Sequence, residues 1–326
     1  MTASNLSRRN LFGLGLGRLV EERLRALDLS EAGPEAAAET DTEARAGRKE
    51  AMRRAWGEGD ARPLMALLEP AAEHLVELCG VEPGQRLLDV GAGDGSLALA
   101  AARAGAKVAA GDLSAVLVER GRERTRASGV DVEWDVADVE ALPYADESFD
   151  HVASNFGVIY ADDPRRAVAE LERVVRPGGT VALTAWASSG AMGRVLRLAA
   201  ERDGSAGSGV RPERWGRYET ALLHFSRFTE FQMLDATLRM EFDSEPEMWA
   251  LFSSAPGPLA GALRAGADAG DLREQLLAAV AGQLRETTAG VALDVAYSVA
   301  IGRRQVAAAT GPPMATINRP SEGRPG

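Results

Sequence analysis

The sequence predicts an α/β fold: a doubly wound, mostly parallel sheet that carries the ligand site, with a helical insertion late in the chain. Three observations predict it. Short apolar runs near residues 86, 107, 131, 149 and 180 alternate with helical patterns. Each connection is long enough for a crossover, which makes the strands parallel neighbours. The first run passes at once into a glycine turn and a helix, RLLDVGAGDGS at residues 86–96, and such a sheet opens to ligands at the carboxyl ends of its strands.

Length and charge narrow the possibilities. The chain has 326 residues and a formal charge of -11. A chain of that size buries on the order of 75% of its unfolded surface, enough for one large domain or a core with a cap. The acidic balance argues against nucleic acid as a partner, because that affinity comes from clustered Lys and Arg. Cys79 is the only cysteine, and His74, His151 and His224 lie far apart, so neither a disulfide framework nor a metal site is expected. Residues 7–13, SRRNLFG, resemble the core of a twin-arginine export signal, but the stretch behind them is rich in glycine and soon meets Glu21-Glu22-Arg23, so a cytoplasmic location is expected. Leu16, Leu19, Leu24 and Leu27 suit an amphipathic helix, while residues 28–50 lack a sustained apolar face and predict a mobile linker. No stretch approaches the roughly 20 apolar residues of a membrane span, so no stable membrane insertion is expected. The expected organisation is an N-terminal helix and linker (1–50), a ligand-binding core (51–190), a helical cap with the last two strands (191–305) and a disordered tail (306–326).

Within the core, Leu64, Leu67, Leu68, Ala71, Leu75, Val76 and Leu78 recur at helical spacing, predicting helix from Ala51 onward with Trp56 near its start. Residues 86–90 suit a strand buried on both faces. Gly91, Gly93 and Gly95 can take positive φ and let the backbone approach a ligand, while Asp94 or Ser96 can cap the next helix. A dinucleotide fingerprint needs glycine where Ser96 stands, so a different adenosine ligand is favoured. The second strand ends in Asp112, roughly 20 residues after Gly91, a spacing that lets a carboxylate accept hydrogen bonds from two ribose hydroxyls. The third strand, residues 130–136, leads to Asp138 on the same rim, within reach of an adenine amino group. The fourth, residues 149–154, runs into Asn155, Phe156 and Tyr160 at that rim, with His151 mid-strand in a structural role. Asp163-Pro164 marks an N-cap and first helical residue, and Pro177-Gly178-Gly179 stops that helix before the fifth strand at residues 180–186.

Four segments in this order, LLDVGAGDG, GDLS, VADVEALPYADESFD and RVVRPGG, resemble successive motifs of class I S-adenosylmethionine-dependent methyltransferases of the ubiquinone/menaquinone-biosynthesis type, the methyltransferase type 11 group. The resemblance spans roughly residues 56–186, and its specificity lies in the order and spacing of the motifs. It implies a Rossmann-like seven-stranded sheet with an antiparallel last strand, and S-adenosyl-L-methionine as cofactor. It also implies the contacts: the loop at 91–95 for the methionine end, Asp112 for the ribose and Asp138 for the adenine region. Asp89, Gly91, Ala92, Gly93, Leu113, Val139 and Asn155 complete that set. Resembling proteins place a Trp-x-x-Gly-Asp segment, here residues 56–60, at the active-site mouth, so Trp56 is either a mouth residue or a core anchor. The implied activity is methyl transfer to a small, mostly apolar acceptor. O- or C-methylation is favoured, because the Asp/Asn-Pro-Pro-Tyr/Phe segment of amino-directed enzymes is absent after the fourth strand.

After Trp186 the chain leaves this pattern. Residues 231–242 alternate as a strand, residues 246–286 read as a helical insertion broken at Pro256-Gly257-Pro258, and residues 291–301 as the closing strand. Trp56, Phe156, Tyr160, Trp215 and Trp249 are the acceptor-side candidates. Either the insertion folds over an apolar pocket as a lid, or Trp215 and Trp249 anchor an ordinary helical subdomain. A sulfonium methyl is already electrophilic, so the reaction depends on positioning and exclusion of water. No residue is singled out as catalytic, with Tyr160 and His224 the weak candidates for a base. The alternatives are a cofactor-binding protein without turnover and a nicotinamide-dependent dehydrogenase, which Ser96 disfavours. No particular oligomeric state is implied.

Overall fold

The computed structural model describes residues 36–202 and 211–306. Five strands form the first part of the sheet: β1 (Arg86–Val90), β2 (Lys107–Asp112), β3 (Val132–Val136), β4 (Phe149–Asn155) and β5 (Val175–Trp186). They pair in parallel. Two long strands follow, β6 (Phe228–Phe242) and β8 (Gly290–Arg304), and β8 lies antiparallel between β5 and β6. The resulting order, β3-β2-β1-β4-β5-β8-β6, reverses direction between β1 and β4. That reversal is the switch point at which an open α/β sheet leaves a crevice. A short β7 (Leu284–Thr287) pairs with β8, so the sheet has eight strands rather than the expected seven.

The central strands are apolar because helices cover both faces. These helices are α3 (Glu69–Cys79), α4 (Ser96–Arg103), α5 (Ala115–Ala127) and α6 (Pro164–Val174). Leu87, Leu88, Val152, Ala153, Val181 and Ala182 lie at the centre of the core, each at most 1% exposed. Asp163 caps α6 by accepting from the backbone N–H groups of Arg165 and Arg166, as the Asp-Pro pair predicts.

The structure differs from the sequence expectations at four places. Residues 36–57 form a helix, α1 (Ala36–Gly57), where a mobile linker to residue 50 was expected, and Trp56 stands near its end rather than near a helix start. The helix has no apolar stripe because its inward face is cationic. Gly95 (φ 90°), not Asp94 or Ser96, is the N-cap of α4, because the Asp94 carboxylate is turned toward Arg124 at 2.6 Å. β5 begins at Val175, so Pro177-Gly178-Gly179 lies inside an irregular strand start, with the register shifting between Phe149 and His151. Residues 284–287 are a strand rather than the end of the helical insertion, whose last helix closes at Val280. The expected helix within residues 1–27 and the tail beyond residue 306 lie outside the described residues.

Candidate active site

The crevice above the switch point is built from the first glycine turn upward. Gly91, Gly93 and Gly95 all have positive φ, at 64°, 58° and 90°, where a Cβ is strained. The N–H groups of Gly91 and Ala92 both donate to the carbonyl of Gly111 on β2, at 2.8 and 3.0 Å, which folds the turn back over the sheet. On its other side the turn meets the loop after β4 backbone to backbone. A Cβ on Gly157 would lie 2.5 Å from the Gly91 carbonyl oxygen.

Acids at the strand ends fix this turn. Asp112 accepts from the N–H of Gly93 through Oδ2 and from that of Ser114 through Oδ1, each at 2.9 Å. Asp89 on β1 is 1% exposed, and its Oδ2 accepts from the N–H of Ala98 at 3.0 Å. Its Oδ1 has no partner among the described residues. Burial pushes the Asp89 carboxyl up to about 8, with Asp112 and Asp94 adding like-charge repulsion. Burial also lifts Asp112 to about 6 against the opposing pull of its amide hydrogen bonds. Neither Asp89 nor Asp112 is paired with a cation among the described residues, and a cationic ligand would favour their charged forms.

A cationic helix lies across the next part of the rim. Lys49 on α1 reaches Asp138 Oδ2 at 2.6 Å and Glu140 Oε2 at 2.8 Å. Arg48 pairs with Asp162, whose side chain is 2% exposed, and Arg45 with Asp163 at 3.2 Å. Lys49, Met52, Arg53 and Trp56 of this helix line the crevice. Sequence reasoning missed this strap. Its signal was present as Arg45, Arg48, Lys49, Met52 and Trp56 at three- and four-residue spacing, a helical face obscured because three of its five residues are cationic.

The far end of the crevice is apolar. Trp56 meets Tyr160 edge to face at 5.3 Å, and Phe156 stacks on Trp186 at 3.8 Å with 12° between planes. Met192, Val195 and Leu196 also line the crevice, together with Phe252 and Leu259 from the helical insertion. All nine cofactor-side candidates, Asp89, Gly91, Ala92, Gly93, Asp112, Leu113, Asp138, Val139 and Asn155, line this one crevice, as do Trp56, Phe156 and Tyr160.

Trp215 and Trp249 do not line it. Trp215 is 5% exposed and stacks on His224 at 4.3 Å, while Trp249 is half-buried against the core. The insertion reaches the crevice through residues 255–257 and through Phe252 and Leu259 instead. Trp249→Ala is therefore expected to cost about 3 kcal/mol of stability, read by thermal unfolding, with ligand affinity unchanged. His224 is held neutral beside Trp215, lowered to about 4 by burial and by Arg165, and is not among the crevice residues. Burial raises the Tyr160 hydroxyl above its ordinary range, so it stays protonated. His151 Nε2 lies 2.7 Å from Gln85 Oε1, a structural contact. Among the described residues no group of His, Cys, Asp and Glu is arranged to hold a metal ion, and no helix is long and apolar enough to cross a membrane.

Residues 88–183 match the family described as Methyltransferase domain. An uncharacterized protein of Mycobacterium tuberculosis is 40% identical over 173 residues, 52% of this chain and 63% of that protein. The demethylmenaquinone methyltransferase of Renibacterium salmoninarum is 41% identical over 105 residues, 32% of this chain and 43% of the relative. The chain thus spans less than two thirds of the length of these relatives. The crystal structure of the YcgJ protein from Bacillus subtilis shares the fold, with a TM-score of 0.52 at 19% identity over 72% of this chain and 99% of that one.

Proposed function

We propose that this chain, whose residues 88–183 match a methyltransferase domain, is a class I S-adenosylmethionine-dependent enzyme that transfers the methyl group of S-adenosyl-L-methionine to a small, mostly apolar acceptor. One observation carries this reading. A single crevice is lined both by the glycine turn with its buried acids, where Asp89 Oδ1 has no partner among the described residues, and by the aromatic side chains of Trp56, Phe156, Tyr160 and Trp186.

The residues fit this cofactor. A ligand carrying ammonium and sulfonium charges would supply the cation that Asp89 and Asp112 lack. Asp112 takes amide hydrogen bonds from Gly93 on one oxygen and from Ser114 on the other, and a carboxylate has about four acceptor positions, so it keeps capacity to accept from ribose hydroxyls. Asp138 would share its carboxylate between Lys49 and the adenine amino group. When bound, the cofactor supplies an electrophilic methyl group. The chain's part is to hold the acceptor behind it and keep water out, with Trp56, Phe156, Tyr160 and Trp186 forming the wall and α1 the cover. The aromatic wall favours an apolar acceptor. The segment after β4, Asn155-Phe156-Gly157-Val158, lacks the Pro-Pro pair of amino-directed enzymes, which favours oxygen or carbon as the atom methylated.

The acids make cofactor binding dependent on pH. Below pH 6 both Asp89 and Asp112 hold protons, and a cationic ligand must expel them. Affinity for S-adenosylmethionine is therefore expected to rise between pH 6 and 8, by up to about tenfold per unit while one group titrates. Asp89→Asn should flatten the upper part of that rise. Stability of the free protein follows the opposite sign, because both folded-state values lie above the unfolded ones. The stabilising contribution of these acids is full below about pH 4 and is lost as pH rises through about 6 and 8. Calorimetric titration across that range checks the first statement and thermal unfolding the second.

The proposal as a whole is tested with radiolabelled S-adenosylmethionine and a panel of phenols, hydroquinones and enols. Label is expected in the organic extract. Binding of the cofactor with no label transferred to any acceptor would instead favour a binding protein without turnover.

A further inference from the structure

Phe156 is one of three non-glycine residues with positive φ among the described residues, at 60°. A bulky residue is uncommon in that region and persists only where its surroundings determine it fully. β5 provides those surroundings at two points on one face, since residues two apart on a strand share a side. Thr184, 1% exposed, accepts the backbone N–H of Phe156 at 2.8 Å, and Trp186 stacks on the Phe156 ring.

The same hydroxyl acts a second time. Thr184 Oγ1 donates to Asn155 Oδ1 at 3.0 Å, and Asn155 Nδ2 donates in turn to the carbonyl of Leu68 at 3.3 Å. Leu68 joins α2 (Arg62–Leu67) to α3 and lines the crevice. One buried hydroxyl, with both its donor and its acceptor used, thus ties β5, the end of β4 and the α2–α3 corner together. Asn155 and Phe156 both line the crevice, whereas Thr184 does not.

We infer that Thr184 is a positioning residue for methyl transfer, holding Asn155 and the strained Phe156 so that an acceptor lies in line with the cofactor's methyl group. This rests on the methyl-transfer reading above. In-line transfer is sensitive to placement, and a displacement near 1 Å costs on the order of a hundredfold in rate. A role confined to stability would lower the unfolding temperature without separating turnover from binding.

The experiment compares Thr184→Val, which keeps the shape and removes the hydroxyl, with Thr184→Ser, which keeps the hydroxyl. Hydrogen exchange of the Phe156 amide is expected to accelerate about tenfold or more in Thr184→Val, since its acceptor is gone, and to stay near wild type in Thr184→Ser. With the best acceptor from the panel, kcat should fall about ten- to hundredfold in Thr184→Val. The Kd for S-adenosylhomocysteine should rise by much less than kcat falls, and Thr184→Ser should restore kcat. The inference is overturned if the Phe156 amide is equally protected in both variants. It is also overturned if cofactor affinity falls in step with kcat, or if Thr184→Ser fails as Thr184→Val does. A wild-type protein that binds S-adenosylhomocysteine and methylates nothing counts against the methyl-transfer reading alone, and amide exchange then decides the Thr184 clamp by itself.

Discussion

Replacing Asp112 with alanine is expected to weaken S-adenosylmethionine binding by about 1.5 to 3 kcal/mol, roughly ten- to a hundredfold. Two losses add in this variant. The ribose hydroxyls lose their shared acceptor, and the N–H groups of Gly93 and Ser114 lose the carboxylate that sets the glycine turn. Stability is expected to move little, because the variant also removes a buried acid whose charged form is disfavoured, with its value lifted to about 6. Calorimetric titration beside thermal unfolding separates these effects. Wild-type affinity in Asp112→Ala would reject the ribose assignment.

Gly157→Val is expected to abolish cofactor binding and to cost about 1 to 3 kcal/mol of stability. The reason is local. A Cβ at Gly157 meets the Gly91 carbonyl oxygen at 2.5 Å and the Gly91 Cα at 2.8 Å, and backbone atoms on both sides leave no side chain to swing away. The two loops that frame the crevice must then part. Gly93 offers the control, since a Cβ there meets only the flexible tip of Met65 at 3.2 Å. Gly93→Ala keeps a cost of about 1 to 2 kcal/mol for its positive φ, so weakened rather than lost binding is expected. Equal binding by Gly157→Val and wild type would show that the contact of the two loops is not needed.

The acid-bearing half of this site was legible in the sequence because local rules dictate it. A buried strand followed by Gly91, Gly93 and Gly95, and an acid at the end of β2, lie within one βαβ unit, where spacing converts directly into geometry. Legibility ended where distant segments meet. The cationic face of α1 finds its carboxylates on the rim after β3 and β4, 89 residues away for Lys49 and Asp138, and no apolar period marks such a docking surface. Gly157 carries no local signal, since its φ is ordinary and only the approach of Gly91 requires glycine there. Thr184 and Trp186 read as strand residues of the core, and their grip on Phe156 follows from the pairing of β4 with β5, where Thr184 stands opposite Asn155. Trp215 and Trp249, unlike Trp56, failed as markers for a related reason. Aromatic residues at helical spacing serve a core as readily as a pocket, and Trp215 found His224 rather than the crevice.

The central claim is that this crevice binds S-adenosylmethionine, and calorimetric titration of the wild-type chain with S-adenosylmethionine and, separately, with NADH at pH 8 tests it most directly. Saturable binding of S-adenosylmethionine, one molecule per chain and weakened in Asp112→Ala, with no heat from NADH, is the predicted result. Absence of S-adenosylmethionine binding, or binding that Asp112→Ala leaves untouched, would contradict it.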